Sequence, residues 1–235
     1  MIKFDIISIF PEMFDSYFQE SIIKRAQEKK LIEIEIHNLR DYSTSKSKFH
    51  RAVDDKPYGG GPGMILLIEP IVKALKTIER KNLPAGRQGK SRVIMLTPAG
   101  KKFTQREAER LAKYDQLILL CGRYEGFDAR VDKLVDEKIS IGDYVLAGGE
   151  LPAMIVTEAV ARNVKGVVGH DEALRDETFS HDLDYVEYPQ YSRPEVIKLQ
   201  MANGKWQMVR VPKVLLSGNH QKIAEWRKAK SKKRK

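Results

Sequence analysis

Residues 140–152 read S-I-G-D-Y-V-L-A-G-G-E-L-P, with three glycines set among apolar residues and a proline at the end. Glycine adopts backbone conformations that other residues avoid, and its missing side chain lets a ligand approach the main chain. Residues 152–163 have the apolar spacing of a helix, so the stretch predicts a loop between a short strand and a helix. Taken alone, this loop fits an ordinary tight connection as well as a ligand-binding segment.

Two earlier segments have the same character. Residues 92–96 and 116–120 are predicted strands, and they lead into T-P-A-G at 97–100 and C-G-R-Y-E-G at 121–126. A repeated order of strand, glycine loop and helix is typical of α/β proteins with a parallel sheet. Ligands of such sheets bind at the carboxyl ends of the strands, so we expect the three loops to form the walls of one pocket.

The N-terminal residues predict a β-α-β unit. Residues 2–10 are rich in β-branched and aromatic types and indicate a buried strand, and a half-buried strand is expected at residues 31–37. The helix between them should carry one apolar stripe, formed by Phe14, Phe18, Ile22 and Ala26. Further helices are predicted at residues 64–80, after Thr104 with Glu107 at capping-box spacing, and through Val131 and Leu134.

Length and composition restrict the class of protein. The 235 residues are 42% hydrophobic and 31% charged, which suits one or two domains with a hydrophobic core. The sequence lacks both the apolar run of about 18 residues that a membrane span requires and the pattern of a secretory signal. The single cysteine, Cys121, excludes an internal disulfide and a multi-cysteine zinc site. We therefore expect a cytoplasmic protein.

The formal net charge of +10 is concentrated at the C-terminus. Residues 227–235 hold seven basic residues and no acidic one, and we expect them to form a disordered appendage. Such a run adds solubility and attracts polyanions without specificity, so it favours nucleic acid as a partner only weakly.

Residues 40–63 lack periodicity over more than 20 positions, which is typical of a functional or disordered loop. Their G-G-G-P-G run lacks the lysine and the Ser or Thr of a phosphate-binding P-loop. The G-x-G-x-x-G pattern of dinucleotide-binding enzymes does not follow any predicted strand, which argues against an oxidoreductase. Asp54 and Asp55 in this loop are either solvated charges or hydrogen-bond acceptors for a nucleobase.

The C-terminal part predicts a linker and a small second unit. Residues 170–193 carry seven carboxylates with little periodicity and are interpreted as an interdomain linker, where such charges are ordinarily solvated. Residues 196–211 hold two apolar runs around an Asn-Gly turn, a strong hairpin signal. A helix should begin near Gln221, capped by Ser217 or Asn219. Its basic end fits either a module that grips a nucleic-acid backbone or a small domain with a solubilising tail.

Six segments along the chain form an ordered set of motifs. They are F-D-I-I-S-I-F-P-E-M-F at 4–14, D-D-K-P-Y-G-G-G-P-G-M at 54–64, C-G-R-Y-E-G-F-D-A-R at 121–130, S-I-G-D-Y-V-L-A-G-G-E-L-P-A-M at 140–154, Y-S-R-P-E-V at 191–196 and V-P-K-V-L-L-S-G-N-H at 211–220. Together they closely resemble bacterial tRNA (guanine-N1)-methyltransferases, the TrmD family. The resemblance spans nearly the whole chain, and its individual motifs are long.

The resemblance implies a SPOUT-type fold, an α/β parallel sheet whose C-terminal part is threaded into a deep trefoil knot, followed by a small, mainly helical C-terminal domain. Residues 1–168 would be the domain that binds S-adenosylmethionine, residues 169–193 the linker that carries the general base, and residues 194–235 the tRNA-binding domain with its basic tail. It further implies a homodimer whose sites are built from both chains. We expect no membrane partner. The expected reaction methylates N1 of the guanosine immediately 3′ of the anticodon in tRNAs that carry another guanosine before it.

By the same resemblance, the three glycine loops hold the methyl donor. The implied cofactor-binding residues are Leu96, Thr97, Pro98, Gly100, Gly122, Tyr124, Glu125, Gly126, Ile141, Gly142, Asp143, Tyr144, Val145, Leu146, Gly148, Gly149 and Pro152. The residues implied to contact the target tRNA are Asp54, Gly59, Gly60, Gly61, Arg123 and Glu125. The resemblance implies no metal-binding residue, and the sequence leaves open whether the reaction depends on Mg²⁺.

Guanine N1 carries a proton at neutral pH, so methylation needs a general base within hydrogen-bond reach of it. In the family the base is a linker aspartate, and by resemblance its position holds Glu177, with Asp176 beside it as the alternative. Arg162, on the preceding helix, would stabilise the charge on the base. Because the base position differs, a catalytically altered SPOUT-fold protein that only binds tRNA is the alternative function. An insertion at residues 81–90 and a long hairpin at 196–211 are further departures, both expected on the surface.

Overall fold

The computed structural model describes residues 1–45, 51–81, 89–169, 174 and 176–233. The chain forms two compact units, Met1–Asp171 and Glu172–Lys235. Most of the predicted insertion at residues 81–90 lies outside the described residues. In the described part of the chain, no helix combines the length and the apolar character that crossing a lipid bilayer requires.

The first unit is built on a parallel sheet. Its strands are β1 (Ile2–Ser8), β2 (Ile32–Asn38), β3 (Asp54–Asp55), β4 (Ile65–Leu66), β5 (Ser91–Lys102), β6 (Gln116–Cys121) and β7 (Glu137–Ser140). Five of them form one sheet in the order β2-β1-β6-β5-β7, and every neighbouring pair in it is parallel. Strands β3 and β4 form a separate antiparallel pair. The predicted α/β class with a parallel sheet is confirmed.

Helices cover both faces of this sheet. They are α1 (Asp15–Phe18), α2 (Ser21–Glu28), α3 (Ile68–Lys81), α4 (Gln105–Leu111) and α5 (Glu150–Ala161). Because side chains alternate along a strand, Phe4 and Ile6 join a core that includes residues of α2, α4 and α5, while Ile7 joins a second core with α3. Burial on both faces explains why the strands are nearly continuous apolar runs.

The prediction of one continuous helix near the N-terminus is wrong. The chain forms a 3-10 turn at Pro11–Phe14 and then the short helices α1 and α2, and Ser21, the first residue of α2, has a positive φ of 50°. The break shifts the phase of the apolar stripe, so Ile23 is fully buried while Ile22 is only partly buried. Phe14 and Phe18 stack in the core as the stripe predicts.

Three other helical predictions need correction. Helix α3 begins at Ile68 rather than at residue 64, because Ile65 and Leu66 pair with β3. The segment through Val131 forms only a 3-10 turn, Ala129–Lys133. Thr104 is the N-cap residue of α4 but makes no side-chain capping bond. Glu107 accepts hydrogen bonds from Lys101 and Arg110 instead.

The second unit mixes strands with one long helix. Its elements are β8 (Tyr185–Val186), β9 (Val196–Gln200), β10 (Trp206–Arg210), α6 (His220–Lys230), β11 (Lys232–Lys233) and a 3-10 turn at Lys213–Leu216. The predicted hairpin is present as the antiparallel pair β9–β10. Asn219 is the N-cap of α6, and its side chain accepts a hydrogen bond from the Lys222 amide. The unit is thus mixed, where the sequence predicted a mainly helical domain.

Residues 227–233 of the basic C-terminus form regular structure, which corrects the prediction that this segment is disordered. Residues 227–230 complete α6, and β11 pairs with β8, which lies in the predicted linker. The Arg227 guanidinium lies 5.0 Å from the centre of the Tyr188 ring, and Trp226 packs against Tyr191. Aromatic residues of the acidic segment therefore hold the basic helix by cation–π and ring contacts.

Candidate active site

A cavity of about 470 Å³ lies beside the middle of β5 and at the carboxyl ends of β6 and β7. Because these strands are neighbours in the sheet, the segments that follow β6 and β7 meet beside residues 95–99, which lie within β5. Fifteen of the predicted cofactor-binding residues line the cavity. They are Leu96, Thr97, Pro98, Gly122, Tyr124, Glu125, Gly126, Ile141, Gly142, Tyr144, Val145, Leu146, Gly148, Gly149 and Pro152. The glycine segments thus surround one cavity, as the sequence predicts.

The cavity lining leaves out two of the predicted residues, Gly100 and Asp143. T-P-A-G belongs to the long strand β5, whose pairing with β7 shifts register between Leu96 and Lys101. A Cβ on Gly100 would lie 2.5 Å from the backbone nitrogen of Ile139, so this glycine allows the close approach of β5 and β7. The exposed Asp143 carboxylate pairs with Lys102 at 2.5 Å.

A second close approach joins the walls formed by the segments after β6 and β7. A Cβ on Gly149 would lie 2.7 Å from the Cα of Cys121 and 2.8 Å from the Gly122 nitrogen, both backbone atoms. The Gly149 amide donates a hydrogen bond to the Gly122 carbonyl at 2.9 Å. Only glycine fits here without moving one wall, so Gly149 sets the width of the cavity at this point.

Arg123 enters the cavity wall as part of a buried network. Its Nε donates to the Glu150 carboxylate at 2.9 Å, and the same carboxylate accepts from the Ser8 hydroxyl at 2.7 Å. The Arg123 guanidinium also lies 4.7 Å from the centre of the Phe10 ring. Glu150, which is 1% exposed, therefore anchors an arginine of the cavity to the end of β1.

Sequence reasoning missed the role of Glu150, although the residue stands in the quoted glycine stretch. One signal pointed to it: the carboxylate lies at the start of an almost entirely apolar helix segment, and a carboxylate buried there must be paired. The identity of the partner could not be read, because Arg123 is 27 residues away in the chain.

Cys121 is a buried free cysteine at the end of β6, next to the cavity residue Gly122. Burial raises the pKa of its thiol well above the usual value, and the nearby Glu150 carboxylate raises it further. A buried, protonated thiol is a poor nucleophile, so burial and the raised pKa argue against covalent catalysis by this cysteine.

The residues predicted to contact tRNA fall into two groups. Arg123 and Glu125 line the cavity, whereas the lining does not include Asp54 or the glycines Gly59, Gly60 and Gly61. Asp54 lies in β3 opposite Leu66 of β4. The three glycines have φ values of 86°, 80° and 122°, which is the left-handed region that favours glycine.

The loop that holds Gly59, Gly60 and Gly61 contacts the cavity wall at its C-terminal end. The Glu125 amide donates to the Met64 carbonyl at 3.0 Å, and the Leu66 amide donates to the Gly126 carbonyl at 2.9 Å. The Glu125 side chain packs so closely against Gly63 that a Cβ there would lie 2.7 Å from it. The glycine loop that follows Asp54 therefore ends beside the cavity.

The predicted catalytic residues belong to different units. Arg162 is the C-cap residue of α5 in the first unit. In the second unit, Asp176 is exposed and its carboxylate lies 3.3 Å from His181 Nε2. Glu177 is partly buried at the start of a turn, where its carbonyl accepts a hydrogen bond from the Ser180 amide. Their catalytic roles stay a prediction.

A buried polar cluster lies apart from the cavity, on β1 and β2. Asp5 accepts hydrogen bonds from Gln116 at 2.7 Å and pairs with His37 at 2.8 Å, and the ammonium of Lys3 lies 2.7 Å from Glu35 and 3.3 Å from Asp5. Asp5, Glu35 and His37 offer atoms close enough to bind a metal ion together. The lysine already neutralises these carboxylates, so the cluster is better explained as a structural ion network.

Comparison with known proteins identifies the family. The family model described as tRNA (Guanine-1)-methyltransferase TrmD matches residues 2–235. The chain belongs to the TrmD family. A protein of Dictyoglomus turgidum called tRNA (guanine-N(1)-)-methyltransferase is 47% identical over 228 residues, which cover 97% of this chain and 84% of that protein. A protein with the same name from Geotalea uraniireducens is 47% identical, and the match covers 97% of this chain and 85% of that protein. Another from a Geobacter species is 44% identical, and the match covers 99% of this chain and 86% of that protein.

The resemblance inferred from the motifs is thereby confirmed at the level of the family. For a TrmD family member, the cavity is the candidate active site, because it is concave and built largely from backbone segments. Apolar groups such as Leu96 and Val145 line it beside the charged groups of Arg123 and Glu125. Its volume falls in the range of sites that enclose a small molecule.

Proposed function

We propose that this chain transfers a methyl group from S-adenosylmethionine to N1 of guanosine in tRNA, at the position immediately 3′ of the anticodon. The observation that carries this proposal is the cavity between β5 and the segments after β6 and β7, whose walls are glycine segments through which the sequence resembles the family. The relatives that match nearly the full length of the chain are named for guanine-N1 methylation of tRNA, which supports the reaction class.

The cavity suits the methyl donor. Backbone groups of residues 96–98, 122–126 and 141–149 would hold its adenosine and amino-acid parts, and the apolar side chains among them would cover the base. When bound, the cofactor supplies an electrophilic methyl group on a sulfonium. The glycines at 122 and 149 leave no side chain where the two walls touch, so the ligand would meet the main chain directly.

The protein must remove the proton from guanine N1. We assign this step to the carboxylate of Glu177, with Asp176 as the alternative, since one of these stands where the family has its aspartate. General bases of this kind contribute about 10²- to 10⁴-fold to a rate. Arg162 would hold the negative charge of the base in place, and Arg123 with Glu125 would orient the guanine. Asp54 and the loop glycines Gly59, Gly60 and Gly61 would contact the target or its neighbour.

The site would be completed in a homodimer. Tyr144 and Val145, which line the cavity, are 54% and 82% exposed, and Leu151 and Ile155 of α5 are 53% and 45% exposed. Large apolar side chains left exposed in this way favour a protein interface. We further propose the SPOUT-type trefoil knot, a cytoplasmic location, and the division into a cofactor domain (1–168), a linker (169–193) and a tRNA-binding domain (194–235).

The proposal is tested by incubating the purified protein with S-adenosylmethionine and unmodified tRNA and digesting the product to nucleosides. Mass spectrometry should detect 1-methylguanosine. Methylation confined to a ribose 2′-oxygen would contradict the proposal.

A second candidate function is a tRNA-binding protein that does not methylate. The glutamate at the predicted base position favours it, because the added methylene displaces the carboxylate. Calorimetry with S-adenosylmethionine separates the two functions: the enzyme should bind it, and the binding protein should not.

A further inference from the structure

The hairpin β9–β10 presents an unusual surface for so small an element. Nine of the ten residues in its strands are exposed, and only Val196 is partly buried. Trp206 is 62% exposed and Met208 is 51% exposed. An isolated two-stranded hairpin is at best marginally stable, so large apolar side chains left in solvent call for a partner.

The strand register divides the hairpin into two faces of different chemistry. Lys198 pairs with Met208, Gln200 with Trp206, and Val196 with Arg210, and cross-strand partners point to the same side. We call the surface formed by these six residues the Trp206 face. The opposite face holds Ile197, Leu199, Gln207 and Val209. The Trp206 face alone combines an exposed aromatic ring with two positive charges.

The Trp206 face has the local geometry of a stacking platform. The Lys198 ammonium lies 5.5 Å from the centre of the indole ring, and Trp206 remains 62% exposed despite this contact. Arg210 lies on the same face, next to Met208 along the strand, and the face carries no carboxylate. A nucleic-acid base can stack on such an indole while the cations bind the adjoining phosphates.

The charge distribution also favours an anionic partner. Residues 194–235 contain twelve Lys or Arg and two Asp or Glu, whereas the preceding 193 residues contain thirty of each kind. The whole net charge of +10 therefore belongs to the segment that carries the hairpin. A positive field concentrated in one segment attracts nucleic acid and raises its local concentration.

We propose that the Trp206 face binds RNA, with an unpaired base of the tRNA stacked on Trp206 and phosphates held by Lys198 and Arg210. This rests on the proposed function, in which tRNA is the substrate. Single-stranded loops and ends of RNA are the parts that aromatic side chains recognise in this way. The face is a binding surface and contributes nothing to methyl transfer itself.

The test measures the affinity of the full chain for a tRNA transcript and for a single-stranded RNA oligonucleotide. Trp206→Ala should raise the Kd about 5- to 160-fold, the range that base–aromatic stacking gives. Trp206→Phe keeps a stacking ring and should retain most of the affinity. Lys198→Gln should lower the slope of log Kd against log salt by about one. Leu199→Ala on the opposite face is the matched control and should leave the Kd unchanged.

Fluorescence separates stacking from a general loss of structure. In a Trp226→Phe background, Trp206 is the sole tryptophan, and RNA should quench its emission. Unchanged affinity of Trp206→Ala, or equal losses for Trp206→Ala and Leu199→Ala, would overturn the proposal. A change in sedimentation with unchanged RNA affinity would assign the face to a second copy of the chain instead.

The outcome is distinguishable from a failure of the proposed function. If the wild-type protein forms 1-methylguanosine but Trp206→Ala binds tRNA normally, the inference about the hairpin falls and the function stands. If the wild-type protein methylates nothing while RNA still quenches Trp206 and the variants rank as expected, the proposed function fails and the RNA-binding role of the hairpin stands.

Discussion

Replacing Glu150 with alanine should destabilise the cavity wall, because the Arg123 guanidinium would lose its partner. The Arg123 side chain is 19% exposed and that of Glu150 only 1%. Removing one member of a buried, hydrogen-bonded charge pair costs about 3–5 kcal/mol. We expect a loss of about 3 kcal/mol in stability, the lower end of this range, because Arg123 keeps its contact with Phe10 and its partial exposure to solvent. The equilibrium for opening the wall should then rise roughly 150-fold.

The sole cysteine gives an assay at the right place. Cys121 is buried, and its Cα touches the position of Gly149, which precedes Glu150. Its rate of labelling by a thiol reagent reports the opening of this wall, whereas both tryptophans lie in the second unit. Labelling of Glu150→Ala should be about 150 times faster than that of wild type when the wall recloses faster than the reagent reacts.

Two controls define the result. Ser8→Ala removes one hydrogen bond to the same carboxylate and should accelerate labelling only about tenfold. Glu109→Gln removes a surface carboxylate that pairs with Arg106 and should leave the rate nearly unchanged. If Glu150→Ala is labelled no faster than Glu109→Gln, the network does not hold the wall and the reasoning is refuted.

Three further predictions concern the cofactor, the base and stability. Gly149→Ala should weaken S-adenosylmethionine binding at least about tenfold in calorimetry, because its Cβ would meet backbone at 2.7 Å; Gly169→Ala, with open space around its Cβ, should not. Glu177→Gln should abolish turnover and leave cofactor affinity intact; if Asp176→Asn does so instead, the base is Asp176. Burial raises the pKa of Asp5, but hydrogen bonds from His37 and Gln116 and the charge of Lys3 outweigh burial and lower it below 3.8. A carboxyl whose pKa is lower in the folded state stabilises the fold at pH values above its unfolded-state pKa. In urea unfolding, the free-energy advantage of wild type over Asp5→Asn should therefore be full near pH 7 and shrink below about pH 4. An advantage that does not change with pH would contradict this.

The sheet and the cavity follow from the sequence because both rest on local patterns. Continuous apolar runs indicate strands that are buried on both faces, and a glycine segment follows each of β6 and β7, whereas the T-P-A-G segment lies within β5 at its register shift. Parallel neighbours then bring the segments together without any further information. The motifs also identified the family, which periodicity alone could not do.

Features that depend on contacts between distant residues could not be predicted. The pairing of Glu150 with Arg123 and Ser8 requires knowing that β1 and β6 are neighbours. The order of the basic tail depends on the pairing of Lys232 and Lys233 with β8, some 47 residues earlier. The break at Ser21 is a local exception to an apolar spacing that otherwise fits one helix. In each case the residue type is visible in the sequence and its partner is not.

The most direct test of the central claim uses three tRNA transcripts that differ only at the anticodon boundary. The first carries guanosine immediately 3′ of the anticodon with another guanosine before it, the second has adenosine at the target, and the third has adenosine before it. With wild-type protein and S-adenosylmethionine, we predict stoichiometric 1-methylguanosine in the first transcript, none at the altered target, and a marked loss in the third. Equal methylation of all three, or none of the first, would contradict the account.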